Sequence, residues 1–69
     1  MRYVAPKYSY FHPGDYPPRI PGVLIRSGAG WFLIYNQARN ETYLLRYDPQ
    51  NGGWRIDVYP GYAVPPCCM

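Results

Sequence analysis

TYLLRYDPQNGGWRIDVY, from Thr42 to Tyr59, decides the fold. Its second half alternates: Trp54, Ile56 and Val58 fall on one side, Arg55, Asp57 and Tyr59 on the other. That period of two belongs to a strand with one buried face. The middle, Asp48-Pro49-Gln50-Asn51-Gly52-Gly53, is a turn: Asp before Pro starts it, and glycine supplies positive φ where it ends. Setting Tyr47 opposite Trp54 places Leu45 opposite Ile56 and Tyr43 opposite Val58, so aromatic and branched side chains pair on one face.

Working outward, Val23–Arg26 and Trp31–Tyr35 are also short, apolar and bounded by turn-forming residues. With Thr42–Tyr47 and Trp54–Tyr59 they make four predicted strands. The links are too short for a parallel crossover. The predicted fold is therefore all-β, a small four-stranded antiparallel meander over residues 22–59, open or partly closed. Closing the Asn36–Asn40 loop with Tyr35 opposite Glu41 sets Leu33 beside Tyr43. A Gly28-Ala29 hairpin turn sets Leu24 opposite Leu33. One face then carries Leu24, Trp31, Leu33, Tyr35, Tyr43, Leu45, Tyr47, Trp54, Ile56 and Val58. The other carries Val23, Ile25, Phe32, Ile34 and Leu44 with Thr42, Arg46, Arg55 and Asp57. A one-residue slip in the middle loop would exchange the faces of part of the sheet.

That second face is too apolar to be left in water. At about 25 cal/mol per Å2, leaving it wet forgoes a few kcal/mol, a large share of a small domain's stability. Two flanking segments are suited to cover it. Residues 1–21 carry Pro6, Pro13, Pro17, Pro18 and Pro21, with Tyr3, Tyr8, Tyr10, Phe11 and Tyr16 between them. Such a segment is predicted to be extended, stiff and adhesive rather than a solvated linker. Residues 60–69 form a second extended apolar tail with Pro60, Pro65 and Pro66.

Composition narrows the functions. The chain has 69 residues, so it holds one domain at most and a marginal core. Cys67 and Cys68 are adjacent, which disfavours a bridge between them, and a reducing compartment or the inside of a particle is the expectation. No stretch reaches the length of a membrane span, and no signal-peptide core is expected at the N-terminus. His12 and the Cys67–Cys68 pair are too few and too far apart in sequence for a metal quorum, so no cofactor or metal is expected. Glu41, Asp48, Asp57 and Asp15 suggest no nucleophile–base pair, and an enzyme is not expected. Tyr47-Asp48-Pro49 followed by Trp54 resembles a stretch of kelch propeller blades, over fewer than a dozen residues. Hairpin chemistry explains the same pieces, and no family is assigned on them.

Two kinds of binding surface remain. Tyr3, Tyr8, Tyr10, Phe11 and Tyr16 with Val23, Ile25, Phe32, Ile34 and Leu44 are expected to meet a protein partner or a second copy. The chain would then be an accessory or decoration subunit of a larger assembly, or a small inhibitor of viral type. Arg26, Arg46 and Arg55 are candidate anion contacts, since like charges opposed across strands invite a counterion. With the aromatics they would suit a nucleic-acid module, although the net charge of +3 is modest. Asp57 beside Arg46 and Arg55 is the competing, purely local explanation. In a third reading the arm simply completes its own monomer's core.

Overall fold

The computed structural model describes residues 5–65. It is all-β, with five strands in one antiparallel sheet rather than four: β1 Tyr8–Pro13, β2 Val23–Gly28, β3 Trp31–Asn36, β4 Glu41–Asp48 and β5 Gly53–Pro60. The order across the sheet is β1-β5-β4-β3-β2. Strands β2 to β5 run as a meander, and β1 joins it on the free side of β5. The prolines of the arm confine themselves to positions that a strand tolerates. Tyr8 to His12 holds none, and Pro13 sits at the strand's end on the sheet edge.

The β4–β5 hairpin has the expected register, Tyr47 opposite Trp54, Leu45 opposite Ile56 and Tyr43 opposite Val58. The middle hairpin is slipped by one residue. Asn36, not Tyr35, lies opposite Glu41, so Leu33 pairs with Leu44 and Phe32 with Leu45. Asn36 closes the turn by accepting the Arg39 amide on Oδ1 at 3.2 Å, while Asn40 takes a φ of 52°. Asn tolerates both roles. The first hairpin turns at Ala29-Gly30 instead of Gly28-Ala29, with Gly30 at φ 78°, and, with a bulge between Leu24 and Arg26, Leu24 lies opposite Ile34 rather than the expected Leu33.

These shifts redistribute the core. One face buries Tyr43, Leu45, Trp54, Ile56 and Val58, with Ile20, Phe32, Ile34 and Tyr47 against them. The other buries Leu33, Leu44 and Tyr59, with Ile25, Trp31, Ala63 and Val64. Phe32 and Ile34 thus leave the face of Leu44 and Ile25, where the sequence reading put them. The physical cause is that β3 is apolar at Trp31, Phe32, Leu33, Ile34 and Tyr35 in succession, so its own pattern selects no register.

Each face is covered by a segment of the same chain. Residues 14–22 join β1 to β2, which stand at opposite ends of the sheet, and so must cross four strand spacings, about 19 Å. Near-extended backbone at about 3.1 Å per residue makes that span comfortably. Pro17, Pro18 and Pro21 suit it, because a segment outside the ladder has little use for amide donors. Ile20 anchors the crossing on the first core, and Trp54 Nε1 donates to the Asp15 carbonyl at 3.2 Å. On the opposite face Ala63 and Val64 lie on Leu33, Leu44 and Tyr59. Thr42, fully buried, fixes them. Its hydroxyl donates to the Gly61 carbonyl at 2.5 Å and accepts the Ala63 amide at 3.0 Å.

Candidate functional site

The large apolar side chains still open to water are Tyr16 and Tyr62 on the two covering segments and Tyr8, Tyr10, Phe11, Val23 and Leu24 on the two edge strands. On β1, Tyr8, Tyr10 and Phe11 remain 49%, 43% and 42% exposed. Alternation along the strand sends Tyr8 and Tyr10 to the face of Val58 and Ile56, their cross-strand partners, and Phe11 to the face of Arg55. The two tyrosine rings stack at 6.3 Å with an interplanar angle of 24°. Burial, and then the neighbouring Tyr8, push the Tyr10 phenol up, so it keeps its proton and remains a donor at neutral pH. Phe11 lies over Gly53, where any Cβ would collide with its ring and with the His12 carbonyl. Beside it opens a shallow groove of about 400 Å3 lined by Ser9, Tyr10, Phe11, Asn51 and Arg55.

The arginines expected to bind an anion fall partly together. Phe11, Arg55, Arg46 and Trp31 form one cross-strand row over β1, β5, β4 and β3. Arg46 and Arg55 are directly opposed, as their positions required. Each holds a carboxylate: Arg46 Nη2 reaches Asp57 Oδ2 at 3.0 Å, and Arg55 Nε reaches Asp48 Oδ2 at 3.3 Å. Asp57 also accepts the Ser9 hydroxyl at 2.6 Å, which ties β1 to the same network. The Asn51 side-chain amide, then Arg55 and two backbone amides, hold Asp48 below the usual carboxylate range. With both guanidinium groups half exposed, water and salt screen each pair and its contribution to stability is small. Arg26 stands apart on the edge strand β2, opposite Leu33.

A third cluster closes the other end of the sheet. The Glu41 carboxylate is almost fully buried, and it accepts from Lys7 Nζ at 2.9 Å and from the Tyr43 hydroxyl at 2.9 Å, with Arg39 Nε at 3.3 Å. The Lys7 hydrogen bond first, and the Tyr43 bond second, hold its carboxyl below the ordinary glutamate range against the opposing effect of burial. Burial and the adjacent Glu41 push Tyr43 the other way, up. The cluster fastens the beginning of the arm to the centre of the sheet.

The remaining expected contact residues scatter. Tyr16 is 84% exposed on the crossing segment and Val23 is 71% exposed on β2. Ile25 is half-buried against the second core. Phe32 stacks on Trp54 at 5.6 Å, and Ile34 packs beside it on the first core. Leu44 is 1% exposed and belongs to the interior, so it offers nothing to a partner. Tyr3, Cys67 and Cys68 lie outside the described residues. Leu24, expected in the core, lies on the face of Ile34 and Tyr43 but is 55% exposed, because β2 is the edge strand and the core ends before it. Among the described residues no three or more His, Cys, Asp or Glu side chains come together to hold a metal ion. Comparison with protein-family models, with curated proteins and with solved structures found no match in any of the three.

Proposed function

We propose that this chain is a non-catalytic protein–protein interaction module, a small accessory subunit of a larger assembly or an inhibitor dedicated to one target protein. The observation that carries the reading is the band of Tyr8, Tyr10 and Phe11 on β1, a strand at the margin of the sheet with exposed aromatic side chains on both faces. Aromatic side chains of this kind are the common anchors of protein interfaces, because a large area is desolvated at small entropic cost. Among the described residues β1 has no strand on its outer side, and such an edge adds main-chain donors and acceptors to the same surface. The nucleic-acid reading fares less well, since Arg46 and Arg55 are each neutralised by an aspartate. The reading of a self-contained monomer accounts for Ile20 and Val64 but gives the β1 aromatics no role.

The test places a photo-reactive phenylalanine analogue at position 11 and, as a control, at position 29, exposed on the β2–β3 turn at the opposite margin of the sheet. Irradiation in the native source should give an adduct of defined mass from position 11 alone, and Tyr10→Lys should abolish it. Equal, diffuse labelling from both positions would refute the proposal. Retention on an oligonucleotide that falls with salt and vanishes in Arg46→Ala/Arg55→Ala would favour the nucleic-acid module instead.

A further inference from the structure

The two margins of the sheet are not equivalent. Strand β2 carries two devices that blunt an edge, a bulge between Leu24 and Arg26 and the charge of Arg26 itself. Strand β1 has neither. Tyr8–Pro13 contains no Lys, Arg, Asp or Glu, and its pairing with β5 runs from Tyr8 to Pro13 without a shift.

The hydrogen-bond alternation shows what that edge offers. The Gly14 amide donates to the Gly52 carbonyl at 3.0 Å, continuing the β1–β5 register. Even-numbered residues of β1 therefore turn their amides and carbonyls toward β5, and odd-numbered ones turn them outward. The far side of β5 agrees: Gly61 donates to Asn40 at 2.8 Å, so odd-numbered β5 residues face β4 and even-numbered ones face β1. The outward donors of β1 are then the amides of Ser9 and Phe11. Pro13 has none, and the amide of Lys7, just before the strand, is committed to Val58 at 2.6 Å.

We propose that β1 is the interface of a symmetric homodimer, in which two copies pair their β1 strands antiparallel about a two-fold axis at Tyr10 to make one continuous ten-stranded sheet. This rests on the proposed interaction role and names its partner. Three two-fold registers are possible for an edge this short. Centring on Ser9 would oppose Phe11 to Lys7, whose amide is engaged. Centring on Phe11 would oppose Ser9 to Pro13, which lacks a donor. Centring on Tyr10 opposes Ser9 to Phe11 of the second copy twice over, and uses all four outward amides. In that register Tyr10 meets its own symmetry mate in a non-hydrogen-bonded pair, where side chains come closest, and Tyr8 meets His12 of the second copy. The Tyr8–Tyr10 stack then continues across the axis into the same stack of the second copy. Lys7 falls opposite Pro13, so no like charges meet. A self-complementary patch of this kind is what a two-fold interface requires.

The exposed parts of Tyr8, Tyr10 and Phe11 supply on the order of 100 Å2 each, well below the roughly 800 Å2 per partner of a standard interface. The dimer is accordingly weak and concentration-dependent. Sedimentation should show the average mass rising from one chain towards two between about 10 μM and about 1 mM. Tyr10→Lys, which sets two charges against each other on the axis, should hold the mass at one chain over that range. The register is tested separately with single cysteines in a Cys67→Ser/Cys68→Ser background. Under mild oxidation Tyr10→Cys should cross-link quantitatively, because the paired Cα atoms come within disulfide range, while Tyr16→Cys should not. Circular dichroism matching the parent shows that each variant is folded. A parent that stays monomeric to 1 mM, or a folded Tyr10→Cys that cross-links no better than Tyr16→Cys, overturns the dimer. If photo-adducts to another protein persist at position 11 in that event, the interaction role stands and only the identity of its partner falls.

Discussion

Replacing Thr42 by valine probes how the C-terminal segment is held on the sheet. The substitution preserves shape and removes one hydroxyl, which donates to the Gly61 carbonyl and accepts the Ala63 amide. Both backbone groups lose their partner. Each would cost about 1–3 kcal/mol if it stayed dry; Gly61 and Ala63 are only half-buried, so water recovers part of this and about 1 kcal/mol each is the working figure. The total, about 2 kcal/mol, is large for 69 residues whose whole stability is about 3–10 kcal/mol. At about 4–8 °C per kcal/mol the thermal midpoint should fall by about 8–16 °C. Urea titration followed by tryptophan fluorescence measures the first quantity, and amide hydrogen exchange at Ala63 measures the local one. Thr42→Ser keeps both hydrogen bonds and loses only a methyl group, so Ala63 should stay protected there and lose protection in the valine variant. Stability within about 0.5 kcal/mol of the parent, with Ala63 still slow to exchange, would refute the idea that this hydroxyl fastens the segment.

Other expectations follow from the same geometry. Ile56, wholly buried at the centre of β5, should cost about 2–5 kcal/mol as alanine, enough to leave much of the protein unfolded in a urea titration. Gly53→Ala should be more damaging than Gly52→Ala, although only Gly52 has a positive φ, of 65°. A Cβ at Gly52 meets open space and costs about 1–2 kcal/mol of backbone strain, whereas one at Gly53 must displace Phe11 and the β1 backbone; comparative denaturation, with exchange at the Tyr10 amide, separates the two. The Glu41 clamp should make stability pH-dependent. Its carboxyl titrates lower folded than unfolded, so the unfolded chain takes up the proton first as pH falls. The stabilisation is complete above the unfolded value, about pH 4.3, and is lost as pH drops through the lowered folded value. Urea midpoints measured from pH 7 to pH 3 should fall less steeply in Glu41→Gln than in the parent.

The parts of the fold legible in the sequence are those where two independent signals agree. For β4 and β5 the alternation of Trp54 to Tyr59 and the Asp48–Gly53 turn specify one register, and the structure has it. Around β3 the signals are degenerate: five consecutive apolar residues fit either face, and the choice passes to Asn36 and Asn40. A buried asparagine closing a turn looks, in sequence, like any other loop residue. Strand β1 was hidden by its prolines. A count over residues 1–21 obscures a proline-free run, Tyr8-Ser9-Tyr10-Phe11-His12, whose aromatic content favours a strand. The opposition of Arg46 and Arg55 was legible because it depends only on the hairpin that was read correctly. Their partners were less so, since Asp48 reaches Arg55 across the turn while Asn51 holds it in place. The gathering of exposed aromatics on β1 could not be read until that segment had a place in the sheet.

Strand order has a bearing on how this sheet is made. Among the described strands of the chain Tyr8–Pro13 pairs only with Gly53–Pro60, so the first strand waits for the last. A nascent chain can close its three consecutive hairpins in turn, each at short range, and still carry its tyrosines unpaired. The crossing segment that follows β1 carries Ile20 onto the first core, so docking of the strand and closure of that core involve the same stretch of chain. A ribosome-bound chain stopped before Gly53 would therefore hold Tyr8, Tyr10 and Phe11 on a strand with no partner, open to chaperones until β5 emerges.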